Sequence, residues 1–239
     1  MDVFFITGAS SGIGKAVAEL ALCKGHVVYG VSRRETIQHE NFHQITLDLS
    51  DLEALFNWSF PEIKEKVDRI ILINNAGLIG DIKRIGEASD QEIAKLFQVN
   101  VTAPAILMNK FIGQFKAERA TLTVLNVSSG AGQYPIDAWA PYCGSKAAID
   151  HFSNTVALEQ EITKGSVRIL SVGPGVVDTA MQETIRTATT QDFSRADHFK
   201  ELKRNNELIS PQQVAEEYMW VIDNPDKIKS VVSSLRDLR

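Results

Sequence analysis

Two residues four apart, Tyr142 and Lys146, stand in a long apolar-rich stretch. On a helix this spacing puts both side chains on one face. A phenol titrates near 10, too weak an acid to give up and recover a proton easily at neutral pH. Lowering it by about three units takes about 4 kcal/mol of extra stabilisation of the phenolate, and a neighbouring ammonium acts in that direction. Taken alone, the pair equally suits an exposed helix surface. A second candidate is the run Thr7-Gly8-Ala9-Ser10-Ser11-Gly12-Ile13-Gly14. Glycine there permits a tight turn and close approach of the backbone to a ligand. A helix beginning at its end offers free N–H groups to a phosphate. Taken alone, it is also an ordinary glycine-rich turn, and its spacing is G-x3-G-x-G rather than G-x-G-x-x-G.

The elements that must position these residues can be read from the apolar pattern. Runs of strand length occupy residues 3–7, 27–31, 43–47, 70–73, 122–127, 167–172 and 228–232. Helical spacing occupies residues 13–24, 52–67 (interrupted by Pro61), 89–97, 105–115, 142–161 and 210–222, the last opening with Ser-Pro. Near-continuous apolar strands separated by helices predict a parallel sheet covered on both faces. The predicted fold class is α/β, a single doubly wound Rossmann domain over residues 1–239 with a seven-stranded parallel sheet. Residues 178–206 carry mixed charge and weak periodicity after a strand, and are predicted to form a substrate lid.

Composition narrows the function. The chain has 239 residues, 44 % of them hydrophobic and 23 % charged, which excludes a largely disordered or collagen-like chain. A chain of this length buries roughly 70 % of its unfolded surface, enough for a core without metal or disulfide staples. Twenty-five basic and 30 acidic residues leave a net charge of −5, with only short basic pairs such as Arg33-Arg34 and Lys203-Arg204, so nucleic acid is not expected as a partner. No uncharged apolar run reaches 18 residues, so no membrane span is expected. The two cysteines, Cys23 and Cys143, fall in predicted helices. With no leader-like start, they point to a reducing, cytoplasmic location. The five histidines show no metal-ligand spacing, and no metal is expected.

Further motifs sharpen the reading. Asn74-Asn75-Ala76-Gly77 follows the strand at 70–73, Asn126-Val127-Ser128-Ser129 ends the strand at 122–127, and Tyr142-Cys143-Gly144-Ser145-Lys146 opens the long helix. Together with the glycine run and Pro174-Gly175, they resemble the short-chain dehydrogenase/reductase family over about residues 3–232. The resemblance implies a proton donor at Tyr142, with Lys146 lowering its pKa and holding the cofactor ribose. It implies that Ser129, thirteen residues before Tyr142, hydrogen-bonds the substrate carbonyl. It also implies that Asn100 organises a water and proton relay with the lysine. Catalysis would then be general acid catalysis with electrostatic stabilisation, the cofactor carrying the redox chemistry.

The same resemblance assigns a cofactor surface. Gly8, Ser10, Ser11, Gly12, Ile13 and Gly14 would take the diphosphate. Asp48 and Leu49 would flank the adenine, and Asn75, Ala76 and Gly77 its ribose. Pro174, Gly175, Val177 and Thr179 would lie along the nicotinamide or diphosphate. An acid at the end of the second strand selects NAD, whereas arginine suits the extra phosphate of NADP. Ser32 occupies that place and Arg33 and Arg34 follow it, so NADP, as NADPH, is the expected cofactor.

Within the family, the stretches Val176-Val177-Asp178-Thr179-Ala180-Met181-Gln182, Trp139-Ala140-Pro141-Tyr142-Cys143 and Ser128-Ser129-Gly130-Ala131-Gly132 resemble the sepiapterin reductase and benzil reductase subgroup. This implies reduction of a small-molecule carbonyl substrate, a ketone or vicinal diketone. The C-terminal aspartate that grips the pterin in sepiapterin reductases is replaced here by Ser233 or Ser234, with Asp237 displaced by three residues. That departure favours the benzil side. Ser129, Gln133, Tyr134, Trp139, Met181 and Ile185 are the candidate substrate contacts, the last five equally suited to packing under the lid. Alternatives are a sepiapterin reductase, another short-chain alcohol dehydrogenase or ketoacyl-type reductase, and a non-catalytic cofactor-binding regulator, which would not need Tyr142 and Lys146. Family members commonly pair through the helices bearing Asn100 and Tyr142. The latter helix is apolar on more than one face, so a homodimer or homotetramer is expected.

Overall fold

The structure is a computed structural model that describes residues 1–238. Its strands are β1 (Asp2–Thr7), β2 (Val27–Ser32), β3 (Phe42–Thr46), β4 (Arg69–Asn74), β5 (Thr121–Val127), β6 (Val167–Gly173) and β7 (Val232–Ser234). They form one sheet in the order β3-β2-β1-β4-β5-β6-β7, every pairing parallel. The helices are α1 (Gly12–Cys23), α2 (Leu52–Asn57), α3 (Asp90–Phe97), α4 (Ala103–Phe115), α5 (Ala140–Thr163), α6 (Ala180–Thr187), α7 (Ala196–Arg204) and α8 (Pro211–Asp223). The chain winds outward from β1 to β3, returns at β4, and winds outward the other way. The crevice beyond the C-terminal ends of β1 and β4 is therefore the topological switch point, where ligands of such sheets bind.

Alternation along β1 separates two apolar layers. Phe4 and Ile6 pack with Val17 and Ala21 of α1 and with Val214 and Tyr218 of α8. Val3 and Phe5 face the opposite way, onto Leu107, Phe111 and Phe115 of α4 and Ile149 and Val156 of α5. Burying a side chain of this size stabilises the fold by about 1.5–3 kcal/mol. A third cluster, Trp139, Tyr142, Ile185, Phe193 and Phe199 with Ile79 and Leu96, lies over the strand ends.

Two expectations need correction, and a third gains detail. The helix predicted over 52–67 stops at Asn57, and Trp58 is extended. Proline disfavours helical backbone in the residue before it, and tertiary contacts hold the rest: Phe60 packs edge-on to Phe5 at 4.8 Å, and Lys110 Nζ donates to the carbonyls of Phe56 and Trp58 at 3.0 and 2.7 Å. The last strand is Val232–Ser234 rather than 228–232. Ile228 is buried in the α1/α8 layer, and Arg168 grips the carbonyls of Pro225 and Ile228, which forms a turn there. Residues 178–206 hold α6 and α7, each bringing an apolar side chain (Ile185, Phe199) under a charged outer face. Helices of two turns are too short for their periodicity to stand out.

Arg84 Nη1 donates to the carbonyl of Gln191 at 2.8 Å, and Ser194 Oγ donates to Asp137 at 2.7 Å. These bonds tie residues 178–206 to the loops that follow β4 and β5. Among the described residues no helix is long and apolar enough to cross a membrane, and no cluster of three metal-ligating side chains occurs.

Candidate active site

The glycine run joins β1 to α1 as a backbone cradle. Gly8 and Gly12 have φ of +69° and +54°, and a Cβ on Gly14 would lie 2.3 Å from Asn75 Nδ2 and 2.5 Å from the Gly8 carbonyl. Thr7 Oγ1 accepts the N–H groups of Asn75 and Ala76 at 2.9 and 3.0 Å, and Asn75 Nδ2 donates to the Thr7 carbonyl at 2.9 Å. The side chain of Asn75 thus holds the turn against β4. Ser11 precedes α1 without a side-chain capping bond, so the first-turn N–H groups lack a side-chain acceptor. A methyl of Thr179 lies 3.2 Å from where a Cβ on Gly12 would stand, so the segment after β6 faces the turn. A cradle of this kind fits the diphosphate of a nicotinamide dinucleotide. Ile13 packs partly into the α1/α8 layer. Ser10 accepts at its carbonyl from Thr36 Oγ1, and its side chain is half-buried.

The end of β2 lies beside the turn after β3. Ser32 is buried, donating to the Arg34 carbonyl at 2.7 Å and accepting from Gln44 Nε2 at 3.1 Å. Arg33 and Arg34 are exposed, and Arg33 Nη1 lies 4.0 Å from Asp48 Oδ2. The N–H and hydroxyl of Ser50 hold the Asp48 carboxyl below the usual carboxylate range, with Arg33 adding to this. Leu49 is buried among Leu47 and Leu55, so its side chain belongs to the core. Pro174 is buried, Gly175 has φ +85°, and Val177 is buried and bridges to Ile209.

Three elements bring Asn100, Ser129, Tyr142 and Lys146 together. Asn100 lies in a widened π-helical turn, Gln98–Thr102, between α3 and α4. Its side chain accepts from Leu78 N and donates to the Leu78 carbonyl, both at 2.8 Å, and donates to Ser145 Oγ at 3.1 Å. Ser145 in turn donates to the Tyr142 carbonyl at 2.8 Å. Gly77 lies beside this group: a Cβ on it would be 3.6 Å from Asn100 Oδ1 and 3.9 Å from Lys146 Nζ. Ser129 follows β5; its hydroxyl accepts the Ala131 N–H at 3.2 Å and acts to lower the Tyr142 phenol. Lys146 Nζ donates to the Val127 carbonyl at 2.6 Å and sits 5.8 Å from the Tyr142 ring centre.

Burial sets the direction of both titrations. It pushes the Tyr142 phenol up to about 12, with the Ser129 hydroxyl opposing it. Burial also lowers the Lys146 ammonium to about 8, with Asp150 opposing it. Desolvation outweighs any lowering of the phenol by Lys146, whose bond goes to a carbonyl rather than to the phenol oxygen. Tyr142 is therefore held protonated.

Of the candidate pocket walls, Trp139 and Ile185 are buried and Met181 is half-buried in the cluster that contains Tyr142. The Trp139 ring meets the Tyr142 ring edge-on at 5.7 Å and stacks on Phe193 at 5.3 Å. Gln133 and Tyr134 are exposed and lie outside that cluster, Tyr134 with 68 % of its surface open. Asp237 is exposed in a short turn after β7, beyond Ser233 and Ser234. Sequence reasoning missed Thr7, Ser145 and Asp150. Thr7 and Ser145 lie inside quoted motifs, and Asp150 stands one helical turn beyond Lys146, which was its available signal.

A doubly wound sheet with a glycine cradle at its switch point and a Ser-Tyr-Lys group beside it defines a class of dinucleotide-dependent oxidoreductases. Residues 2–190 match the short chain dehydrogenase family, and the chain belongs to it. The chain is 40 % identical over 221 residues to a benzil reductase ((S)-benzoin forming) of Bacillus subtilis, covering 90 % of each. It is 34 % identical over 170 residues to the sepiapterin reductase of Bos taurus, covering 70 % of this chain and 61 % of the relative. The crystal structure of a short-chain dehydrogenase/reductase from Saccharomyces cerevisiae superposes with a TM-score of 0.82 at 27 % identity, covering 98 % of this chain and 96 % of that one.

Proposed function

We propose that the protein is an NADPH-dependent carbonyl reductase acting on a ketone or vicinal diketone, with Tyr142 as the general acid. The observation that carries this reading is the buried Tyr142 phenol, kept protonated, with Lys146 Nζ 5.8 Å from its ring centre and the Ser129 hydroxyl acting on it. The nicotinamide cofactor, when bound, supplies the hydride. Ser129 hydrogen-bonds the carbonyl oxygen, and Tyr142 gives that oxygen its proton. Lys146 brings positive charge that favours the phenolate left behind and holds the ribose. Asn100 fixes the Leu78 backbone and Ser145, which sets the floor of the relay. Arg33, with Arg34 beside it and no acid at Ser32, takes the additional phosphate of NADPH.

Likeness to the benzil reductase of Bacillus subtilis supports a diketone. So do the apolar walls Trp139, Met181 and Ile185. A pterin ring has several N–H donors, and burying each without an acceptor costs about 1–3 kcal/mol. The segment 178–206 acts as a lid that excludes water over a single catalytic domain. The test compares kcat/KM for benzil and sepiapterin with NADPH. We expect benzil to be preferred. Preference for sepiapterin overturns the diketone reading, and no NADPH oxidation with either overturns the reductase reading.

The same reading includes a cytoplasmic homodimer or homotetramer. On α5, Phe152, Leu158 and Ile162 are exposed, and a groove of about 320 Å³ runs between α4 and α5 past Met108, Ile112 and Val156. Light scattering at micromolar concentration should give a dimer or tetramer mass, and a monomer mass refutes the pairing.

A further inference from the structure

The site contains a buried acid that the proposed chemistry does not use. Asp150 lies one turn beyond Lys146 on α5 and is only 6 % exposed. Ser171 of β6 donates to its Oδ1 at 2.6 Å. The Ser128 hydroxyl, at the end of β5 and next to Ser129, also favours its charged form. Its other oxygen faces the turn Gly130–Gly132 that follows Ser129: a Cβ on Gly132 would lie 2.8 Å from Oδ2 and 3.0 Å from the Lys146 carbonyl carbon. One carboxyl thus touches the backbone that presents Ser129, the strand beside it and the helix that carries Lys146.

Few other charges face Lys146. On α5 itself there are Tyr142 and Asp150; from β5 comes the Val127 carbonyl, and from the π-helical turn the neutral Asn100 beside Gly77. Tyr218 of α8 donates its hydroxyl to the Val172 carbonyl at 2.9 Å, and Tyr142 is among the groups that act on it. No ion pair to Lys146 within 4.0 Å occurs among the described residues, so its charge is buried with one carbonyl acceptor and one acid a turn away. A buried ammonium without a counter-charge sheds its proton.

We propose that Asp150 is a positioning residue for catalysis: its ionised carboxyl is the counter-charge that keeps Lys146 protonated, and its bond from Ser171 ties α5 to β6 beside the turn that follows Ser129. The inference rests on the reading of Tyr142 and Lys146 as the catalytic pair. Burial raises the Asp150 carboxyl, while its two serine hydroxyls and Lys146 oppose the shift, so the charged form depends on these partners.

The test substitutes Asp150→Asn, which keeps shape and hydrogen bonding but removes the charge, with Asp150→Ser as a smaller neutral variant. Three readouts are taken. Trace labelling with acetic anhydride across pH, without cofactor or substrate, reports the proton on Lys146 directly. The pH profile of benzil reduction with NADPH reports its effect on turnover. Thermal melting reports the fold. The variants should move Lys146 and the alkaline limb of kcat/KM to lower pH by about one unit or more, whatever the change in melting temperature. A variant that melts lower yet leaves the Lys146 titration in place overturns the proposal and leaves Asp150 a packing residue. If the labelling shift appears without a shift in the pH profile, the counter-charge stands and the catalytic role of Lys146 falls. Carboxyl carbon NMR of the unsubstituted protein needs no variant to fold: Asp150 should be ionised at neutral pH, and a protonated Asp150 overturns the proposal.

Discussion

Tyr142→Phe removes one oxygen from the proposed general acid and leaves its ring. The ring packs edge-on against Trp139 at 5.7 Å, so phenylalanine keeps that contact and nearly the same volume. The fold loses one buried hydroxyl beside Ser129. Ser129 still accepts the N–H of Ala131 at 3.2 Å, which puts the loss near the lower end of the range for an abandoned partner, about 1 kcal/mol. For a chain of this size that lowers the melting temperature by about 2–4 °C. The chemistry suffers more. A positioned general acid contributes about a hundred- to ten-thousandfold, or about 2.7–5.5 kcal/mol of barrier. NADPH absorbance should therefore fall at least about a hundredfold more slowly with saturating benzil, while NADPH titrated by fluorescence binds as before. Turnover within about tenfold of the unsubstituted protein, with binding unchanged, refutes the assignment of the proton to Tyr142.

Arg33→Ala should weaken NADPH by about ten- to a hundredfold while leaving NADH nearly unaffected, since a charged hydrogen bond is worth about 1.5–3 kcal/mol. Equal losses in fluorescence titrations of the two cofactors contradict that role. Burial lowers His26, with Asp2 opposing, so the folded chain holds that proton less tightly than the unfolded one. Its contribution to stability is complete above the unfolded imidazole value and is lost as pH falls through it toward the folded value. The melting temperature should therefore drop less between roughly pH 7.5 and 5.5 in His26→Gln than in the unsubstituted protein. Equal drops in the two proteins refute this account of His26.

What could be read from the sequence divides along physical lines. Strands such as β4, apolar at every interior position because both faces are covered, were visible as runs, and their alternation with helices implied the parallel sheet. Tyr142 and Lys146 were visible because a single helix carries them and sets their spacing. Asn100 and Ser129 could be named only by family resemblance, because β5 and the segment before α4 meet α5 only in the fold. The end of α2 was hidden because Lys110 and Gln114, more than 50 residues away, hold the carbonyls of Phe56, Trp58 and Phe60. The direction of the Tyr142 titration was hidden too, since it depends on burial that local spacing does not reveal.

The widened turn at Gln98–Thr102 sets the phase between two helices. Residues 90–115 form one continuous helical run, with α3 before the turn and α4 after it. Each residue of a regular helix advances the direction of the side chains by about 100°, and a π-helical turn accommodates an additional residue without ending the run. Leu96 before the turn faces Ile79 and the aromatic cluster, Asn100 within it faces Leu78 and Ser145, and Leu107 and Phe111 after it face the sheet. Removing one residue would restore a regular helix and rotate one flank by about 100° against the other. Either Leu96 would leave its cluster or the apolar stripe of α4 would turn from the sheet. The run thus works as a phase shifter, and its length is constrained as tightly as the identity of the asparagine it carries.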